Sequence, residues 1–120
     1  MTTAAERKRL LREIDSYLDA AKNTRKSLLA VEDRLRRMQK LANEGREVHD
    51  FLSSFPDPSA SAANLAESQK SLQEAQRRTR RQIVLMGRAE GLSLAQLASF
   101  WGVSRALISR YANEKADQDS

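Results

Sequence analysis

Residues 94–113 constrain the fold of this chain more than any other stretch, because they fill each position of a tight two-helix corner with a suitable residue. Ala98 is small enough for two helices to cross closely at that point. Gly102 falls at the turn, where the backbone needs a positive φ that glycine adopts at little cost. The inward positions of both helices are apolar: Leu97, Trp101, Val103, Ile108 and Tyr111. We therefore predict two short helices that close on a shared core.

Polar residues mark where each short helix begins. Ser93 can cap the first helix, and Gln96 follows three residues later, as in a capping box. Ser104 can cap the second helix in the same way. The outer face of the second helix carries Arg105, Ala106, Ser109 and Arg110. These residues are small or basic, which suits a surface that approaches base edges and phosphates.

Together these residues resemble the helix-turn-helix of prokaryotic DNA-binding regulators, of which the run Gly102–Arg105 is typical. The resemblance covers Leu94–Asn113 of a chain of 120 residues. It implies that the second helix lies in the major groove of DNA. The expected DNA contacts are Ser104, Arg105, Ala106, Ser109 and Arg110, with Gln96 from the first helix. The alternative is an ordinary helical corner that binds no nucleic acid, since glycine-containing turns between amphipathic helices are common.

A cluster of four arginines precedes the corner. They are Arg77, Arg78, Arg80 and Arg81. Residues 77–120 carry eight Lys or Arg and four Asp or Glu, whereas the other 76 residues carry 13 and 12. A solvated helix face is the ordinary role of such a run. We favour contact with the phosphates of DNA, because the excess positive charge lies beside the corner.

A first long helix is expected from about Ala4 to Glu44. Thr3 and Glu6 form a capping box at its start, and Gly45 is a suitable stop after its end. Apolar or small residues recur at the a and d positions of a heptad: Leu10, Ile14, Tyr17, Ala21, Thr24, Leu28, Val31, Leu35, Met38 and Ala42. This spacing is the coiled-coil pattern.

The apolar stripe of the first helix needs a partner. A solitary helix about 60 Å long would leave the whole stripe in water. The partner can be a second copy, a later helix of the same chain, or both. Leu11, Leu18 and Leu41 widen the stripe, which favours packing against more than one helix. We expect a homodimer formed through Leu10, Ile14, Tyr17, Leu28, Val31, Leu35 and Met38.

A break is expected near residues 45–61. Residues Glu47–Phe55 can form a short helix. Pro56 and Pro58 are expected to stop any helix, and Ser59–Ala63 is small and polar enough to be a connector.

A second long helix is expected from about Ala62 to Glu90. Its seam is made of small and apolar residues: Leu65, Ser68, Leu72, Ala75 and Thr79. Ile83, Val84 and Met86 are expected to pack on the two-helix corner, and Gly91 is a suitable stop.

No catalytic chemistry is visible in the sequence. The chain has no cysteine, so it has no disulfide and no thiolate metal site. Its single histidine, His49, has no second histidine to share a metal with, and its four glycines fit no phosphate-binding loop. We expect no catalytic residue, no cofactor, no metal and no enzymatic activity. We also expect no membrane segment, and a cytoplasmic protein that is nucleoid-associated when bound to DNA.

The sequence therefore predicts an all-α protein with two parts. Residues 1–76 form a coiled-coil or helical-hairpin dimerisation region, and residues 77–120 form a helix-turn-helix domain with a short frayed tail. The expected function is that of a dimeric transcriptional regulator that reads a pseudo-palindromic site in double-stranded DNA. One alternative is a plasmid or phage partition adaptor whose coiled coil recruits a second protein. The other is a purely structural coiled-coil interaction protein.

Overall fold

The computed structural model describes residues 3–54 and 58–114, which form five α-helices and no strand. The helices are α1 (Ala4–Asn43), α2 (Val48–Ser54), α3 (Pro58–Ala89), α4 (Leu94–Trp101) and α5 (Arg105–Asn113). The prediction of an all-α fold is confirmed. Within the described ranges, no helix has the length and apolar character that crossing a membrane requires.

Both ends of α1 follow the local signals in the sequence. The amide of Glu6 donates to Thr3 Oγ1 at 3.1 Å, and the amide of Thr3 donates to Glu6 Oε1 at 3.2 Å. At the other end, Gly45 adopts a φ of 77° and its amide donates to the Ala42 carbonyl at 3.0 Å. The predicted capping box and glycine stop are therefore confirmed.

The start of α3 corrects the sequence analysis. The helix begins at Pro58, so the prediction that Pro58 stops a helix was wrong, and the connector expected at Ser59–Ala63 lies inside α3. Proline suits the first turn because the amide that it lacks would have no intrahelical acceptor there. Three of the residues assigned to the break, Phe55, Pro56 and Asp57, lie outside the described residues, as does the expected tail.

The chain divides into two compact units, and the division crosses both long helices. The terminal unit contains Met1–Tyr17 and Gln73–Ser120, and the middle unit contains Leu18–Leu72. The unit that holds α4 and α5 thus also includes the beginning of α1, which the sequence analysis had assigned to the dimerisation region. The predicted boundary between residues 76 and 77 stays a prediction.

In the terminal unit, the beginning of α1 runs antiparallel to the end of α3. Arg78 Nε lies 3.1 Å from Glu13 Oε2, and Thr79 Oγ1 donates to the Glu13 carbonyl at 3.1 Å. Further along, Gln82 Nε2 approaches the Glu6 carbonyl at 3.5 Å. The small seam residues Ala75 and Thr79 are buried, which allows the two helices to pack closely.

In the middle unit, α1 and α3 also run antiparallel, but small polar groups join them. Thr24 Oγ1 donates to the Ala20 carbonyl at 2.8 Å and approaches the Ser68 carbonyl at 3.1 Å. Ser27 and Ser68 share a hydrogen bond of 3.1 Å, and Arg34 donates to Ser61. A later helix of the same chain therefore covers part of the α1 stripe, as one of the sequence alternatives allowed.

In the middle unit, α3 covers only one side of the face that the heptad predicts: Thr24 is buried and Val31 and Met38 are half-buried. The helix α3 covers the side of Ser27 and Arg34, and it leaves Leu28 and Leu35 with 47% and 57% of their surface exposed. The serines of α3 can approach α1 closely and bond to its polar positions, whereas they offer little to a leucine. The other five residues expected at a dimer interface are half-buried: Leu10, Ile14, Tyr17, Val31 and Met38. Dimerisation through these seven residues stays a prediction.

Candidate nucleic-acid interface

The helix α4 begins and ends as its sequence predicts. The amide of Gln96 donates to Ser93 Oγ at 3.1 Å, and the amide of Ser93 donates to Gln96 Oε1 at 2.8 Å, which completes the capping box. Gly102 has a φ of 65°, and the amide of Val103 donates to the Ala98 carbonyl at 3.0 Å. The positive φ expected of Gly102 is confirmed, and it lets the chain leave α4 and enter α5 within three residues.

Ser104 caps α5. Its Oγ accepts the amide of Leu107 at 3.1 Å, so the predicted cap is confirmed. This bond places the hydroxyl of Ser104 at the beginning of α5, where the positive end of the helix dipole also lies.

A compact core fixes α5 to α4 and α3. Its buried members are Val84, Leu97, Ala98, Ile108 and Tyr111, with exposed fractions between 0 and 7%. Leu94, Trp101 and Val103 pack around this core as partly buried residues. The predicted inward positions are confirmed, and Val84 is the residue through which α3 joins them. A buried core on one side of α5 fixes which side chains of this helix face outward.

Gly87 provides a close approach that the sequence analysis missed. A Cβ added at this position would lie 3.0 Å from Leu97 Cδ2 and 3.3 Å from Leu92 Cδ1. Because Gly87 has no side chain, the Leu97 side chain of α4 packs directly against the backbone of α3. An unexplained glycine in the interior of a helix is the only sequence signal of such a contact, because glycine is unfavourable there.

Four of the predicted DNA contacts lie on α5, and their contact with DNA stays a prediction. Arg105, Ala106 and Arg110 are exposed, and Ser109 is half-buried. Neither arginine side chain has an ion pair or hydrogen bond among the described residues, so both guanidinium groups remain available to a ligand. Gln96 is exposed on α4, although its side-chain oxygen is already used by the Ser93 amide.

The four clustered arginines of α3, at positions 77–81, differ from those of α5 because each has a partner in the protein. Arg77 forms an ion pair of 2.8 Å with Glu114, and Arg81 donates twice to the Glu114 carbonyl, at 3.2 and 2.7 Å. The guanidinium carbon of Arg80 lies 5.6 Å from the ring centroid of Trp101. Arg78 pairs with Glu13, as described above. These arginines tie α3 to α1, to α4 and to the end of α5, and their contact with phosphate stays a prediction.

A second basic surface of the terminal unit was missed by the sequence analysis. Arg9, Arg12, Glu13, Ser16 and Arg78 line a groove of about 590 Å³ between α1 and α3. Glu13 is committed to Arg78, whereas Arg9 and Arg12 have no carboxylate partner among the described residues. Their spacing of three places them on one helix face, but the heptad had assigned this stretch to dimerisation.

Phe100 is the most exposed large apolar residue of the terminal unit within the described residues. Its side chain is 77% exposed, and its ring meets Trp101 edge to face at a centroid distance of 5.4 Å. Trp101 therefore contacts both Phe100 and Arg80.

No family model, no curated protein and no solved structure matches this chain. Nor do residues 3–54 and 58–114 contain a group of three or more His, Cys, Asp or Glu side chains placed to hold a metal ion. Any function is therefore inferred from the geometry and charge of α4 and α5.

Proposed function

We propose that this chain is a sequence-specific DNA-binding protein whose helix α5 enters the major groove. The observation that carries the proposal is the outward face of α5, where Arg105 and Arg110 are exposed and have no side-chain partner within residues 3–54 and 58–114. Both are held on a short helix whose opposite face is locked into the core by Ile108 and Tyr111. An arginine on a rigid helix can present two donors to O6 and N7 of a guanine, which is the commonest specific contact in the major groove.

The charge distribution supports a polyanionic ligand for the terminal unit. This unit carries 12 Lys or Arg and eight Asp or Glu, whereas the middle unit carries nine and eight. Positive charge on one unit steers the protein to DNA and adds salt-sensitive affinity that does not depend on sequence.

The proposed role is that of a transcriptional regulator that acts as a dimer. Two copies related by a two-fold axis would present two α5 helices to the half-sites of a pseudo-palindrome. Dimerisation matters for affinity because one recognition helix of nine residues can contact only a few base pairs.

The proposal is tested by measuring DNA binding with fluorescence anisotropy at low and moderate salt, with a labelled duplex that the wild-type chain selects from random DNA as the ligand and mixed genomic DNA as the competitor. The wild-type chain is compared with Arg105→Ala/Arg110→Ala and with a control, Arg46→Ala/Lys70→Ala. The control also removes two positive charges, but from exposed positions of the middle unit.

We expect the wild-type chain and the control to bind DNA at low salt and to lose affinity as salt rises. The α5 variant should bind at least about tenfold more weakly than the control, because each specific arginine contact is worth about 1–3 kcal/mol. No binding by the wild-type chain at low salt would contradict the proposal, and so would equal affinities of the α5 variant and the control.

A further inference from the structure

Four leucines of α1 in the middle unit are exposed on one broad face. The exposed fractions are 62% for Leu18, 47% for Leu28, 55% for Leu29 and 57% for Leu35. Positions 18, 21, 25, 28, 32 and 35 are three or four residues apart, so they follow one side of the helix for about 26 Å. We call the surface formed by these six positions and Leu29 the leucine face.

The helix α3 cannot cover this face, because its contact with α1 is already made elsewhere. Ser61 and Ser68 bond to Arg34, Thr24 and Ser27 on another side of α1. Among the described residues, α3 contributes no large apolar side chain to the exposed surface of the middle unit. The leucine face therefore belongs to α1 alone.

The middle unit has almost no core of its own. Within its described residues, Ala20 and Thr24 are the only buried side chains. Most of the stability of a long amphipathic helix in a protein comes from packing, and two paired helices with a polar seam bury little. A further pair of helices would convert this unit into a four-helix bundle with the leucines inside.

Charge identifies the occupant of the leucine face. Arg25 and Glu32 lie between the leucines on the same side of α1, and both are exposed. Glu32 has an exposed partner in Arg36 at 3.7 Å, a pair of the kind that contributes little. A cover without matching charges would bury Arg25 without a carboxylate partner and Glu32 with only this weak one, at a high cost.

A second copy of α1 supplies the matching charges when it runs antiparallel. The midpoint between Arg25 and Glu32 falls between Leu28 and Leu29, so a two-fold axis at that point places Arg25 against Glu32 of the other copy, twice. The nine basic and eight acidic residues of the middle unit also leave little net charge to oppose the approach of an identical unit. A two-fold contact uses the same patch on both copies, and the leucine face meets that requirement.

We propose that the leucine face is the homodimer interface, with the two α1 helices antiparallel and the two-fold axis at Leu28–Leu29. The inference deepens the dimeric part of the proposed function. It is tested on the full chain without DNA, so its failure is distinct from a failure of DNA binding.

The first experiment measures the mass of the full chain by sedimentation equilibrium. The test variant is Leu28→Gln/Leu35→Gln, which keeps good helix-forming residues. The control is Val48→Gln/Leu52→Gln, which removes two apolar residues of α2 that are more exposed than Leu28 and Leu35. We expect the wild-type chain and the control to be dimers at micromolar concentration. The test variant should raise the dimer dissociation constant by at least about a thousandfold, because the dimer loses four buried leucines.

The second experiment tests the direction of pairing with charge variants. Arg25→Glu and Glu32→Arg should each weaken the homodimer, because each places like charges opposite one another in an antiparallel pair. An equimolar mixture of the two variants should form a heterodimer, in which both contacts are restored. The double variant Arg25→Glu/Glu32→Arg should form a homodimer as tight as the wild type.

Three results would overturn the proposal. The first is a wild-type chain that remains monomeric, and the second is a dimer that the α2 control disrupts and the leucine variant does not. The third is a pair of single-charge variants that show no preference for each other, which would exclude the antiparallel contact. Circular dichroism of each variant verifies that its helices are retained, so a folding defect is not mistaken for loss of the interface.

Discussion

The arginines of α3 and those of α5 carry the same charge and belong to the same compact unit, yet the protein uses them differently. Arg77, Arg78 and Arg81 bond to Glu114 or Glu13, and Arg80 lies over Trp101. Arg105 and Arg110 have neither kind of partner among the described residues and are exposed.

The difference shows that a dense run of arginine is weak evidence for a DNA contact by itself. The denser cluster, on α3, connects helices, whereas the two arginines of α5 are separated in sequence and free to bind. A guanidinium already held by a carboxylate or carbonyl must break that contact before it can bind phosphate. An exposed guanidinium on a rigid helix has no such cost.

The largest effects should follow from breaking the α4–α5 turn, which positions the α5 arginines. Gly102→Val forces a β-branched residue to a φ of 65°, at a cost of about 1–3 kcal/mol. Ala98→Leu overpacks a position that is 4% exposed, at a similar cost of about 1–3 kcal/mol. Thermal unfolding should show a destabilised terminal unit and a loss of DNA binding, while sedimentation should still show a dimer. Unchanged melting and binding in both variants would contradict the assignment of the turn.

A charge-preserving change should separate specificity from affinity at α5. Arg105→Lys and Arg110→Lys keep the positive charge but lose the two-pronged donor geometry of arginine. We expect each variant to keep the salt dependence of the wild type and to lose about 1–3 kcal/mol of discrimination between a selected site and random DNA. Competition binding with the two DNAs measures this difference. Full discrimination in both lysine variants would show that α5 does not read bases.

The α3 arginines should give the opposite result, with lower stability and unchanged recognition. Arg77→Ala/Arg81→Ala leaves Glu114 without its ion pair and its carbonyl without two donors, which should lower the free energy of unfolding by about 1–3 kcal/mol. Below its melting temperature, the variant should keep the sequence preference and most of the affinity of the wild type. A large loss of DNA affinity with no loss of stability would show that these arginines contact phosphate instead.

The smallest effect is expected at the groove between α1 and α3. Arg9→Ala/Arg12→Ala should leave stability and sequence preference unchanged, because neither side chain has a carboxylate partner in the described chain. If both contact phosphates, the slope of log affinity against log salt should become shallower by about two. An unchanged slope would remove this groove from the DNA interface.

The sequence predicted the local features of the fold well and its long-range contacts poorly. The caps at Ser93 and Ser104 and the positive φ of Gly102 depend on a few neighbouring residues, so the sequence shows them directly. The partner of Arg77 is Glu114, 37 positions away, and no local pattern identifies such a pair. The covered face of α1 depends on the serines of α3, which a heptad written for one helix alone does not take into account. The basic groove at Arg9 and Arg12 was not predicted for the same reason. It forms because the beginning of α1 belongs to the same compact unit as the end of α3, and the heptad of α1 alone does not show this.

Selection of bound sequences from random double-stranded DNA tests the central claim most directly. We predict that the wild-type chain enriches a two-fold symmetric sequence whose half-sites are about 10–10.5 base pairs apart, or a multiple of that spacing. The enrichment should be lost in Arg105→Ala/Arg110→Ala and kept in Arg77→Ala/Arg81→Ala. Failure of the wild-type chain to enrich any sequence would contradict the account, and so would enrichment of the same sequence by the α5 variant.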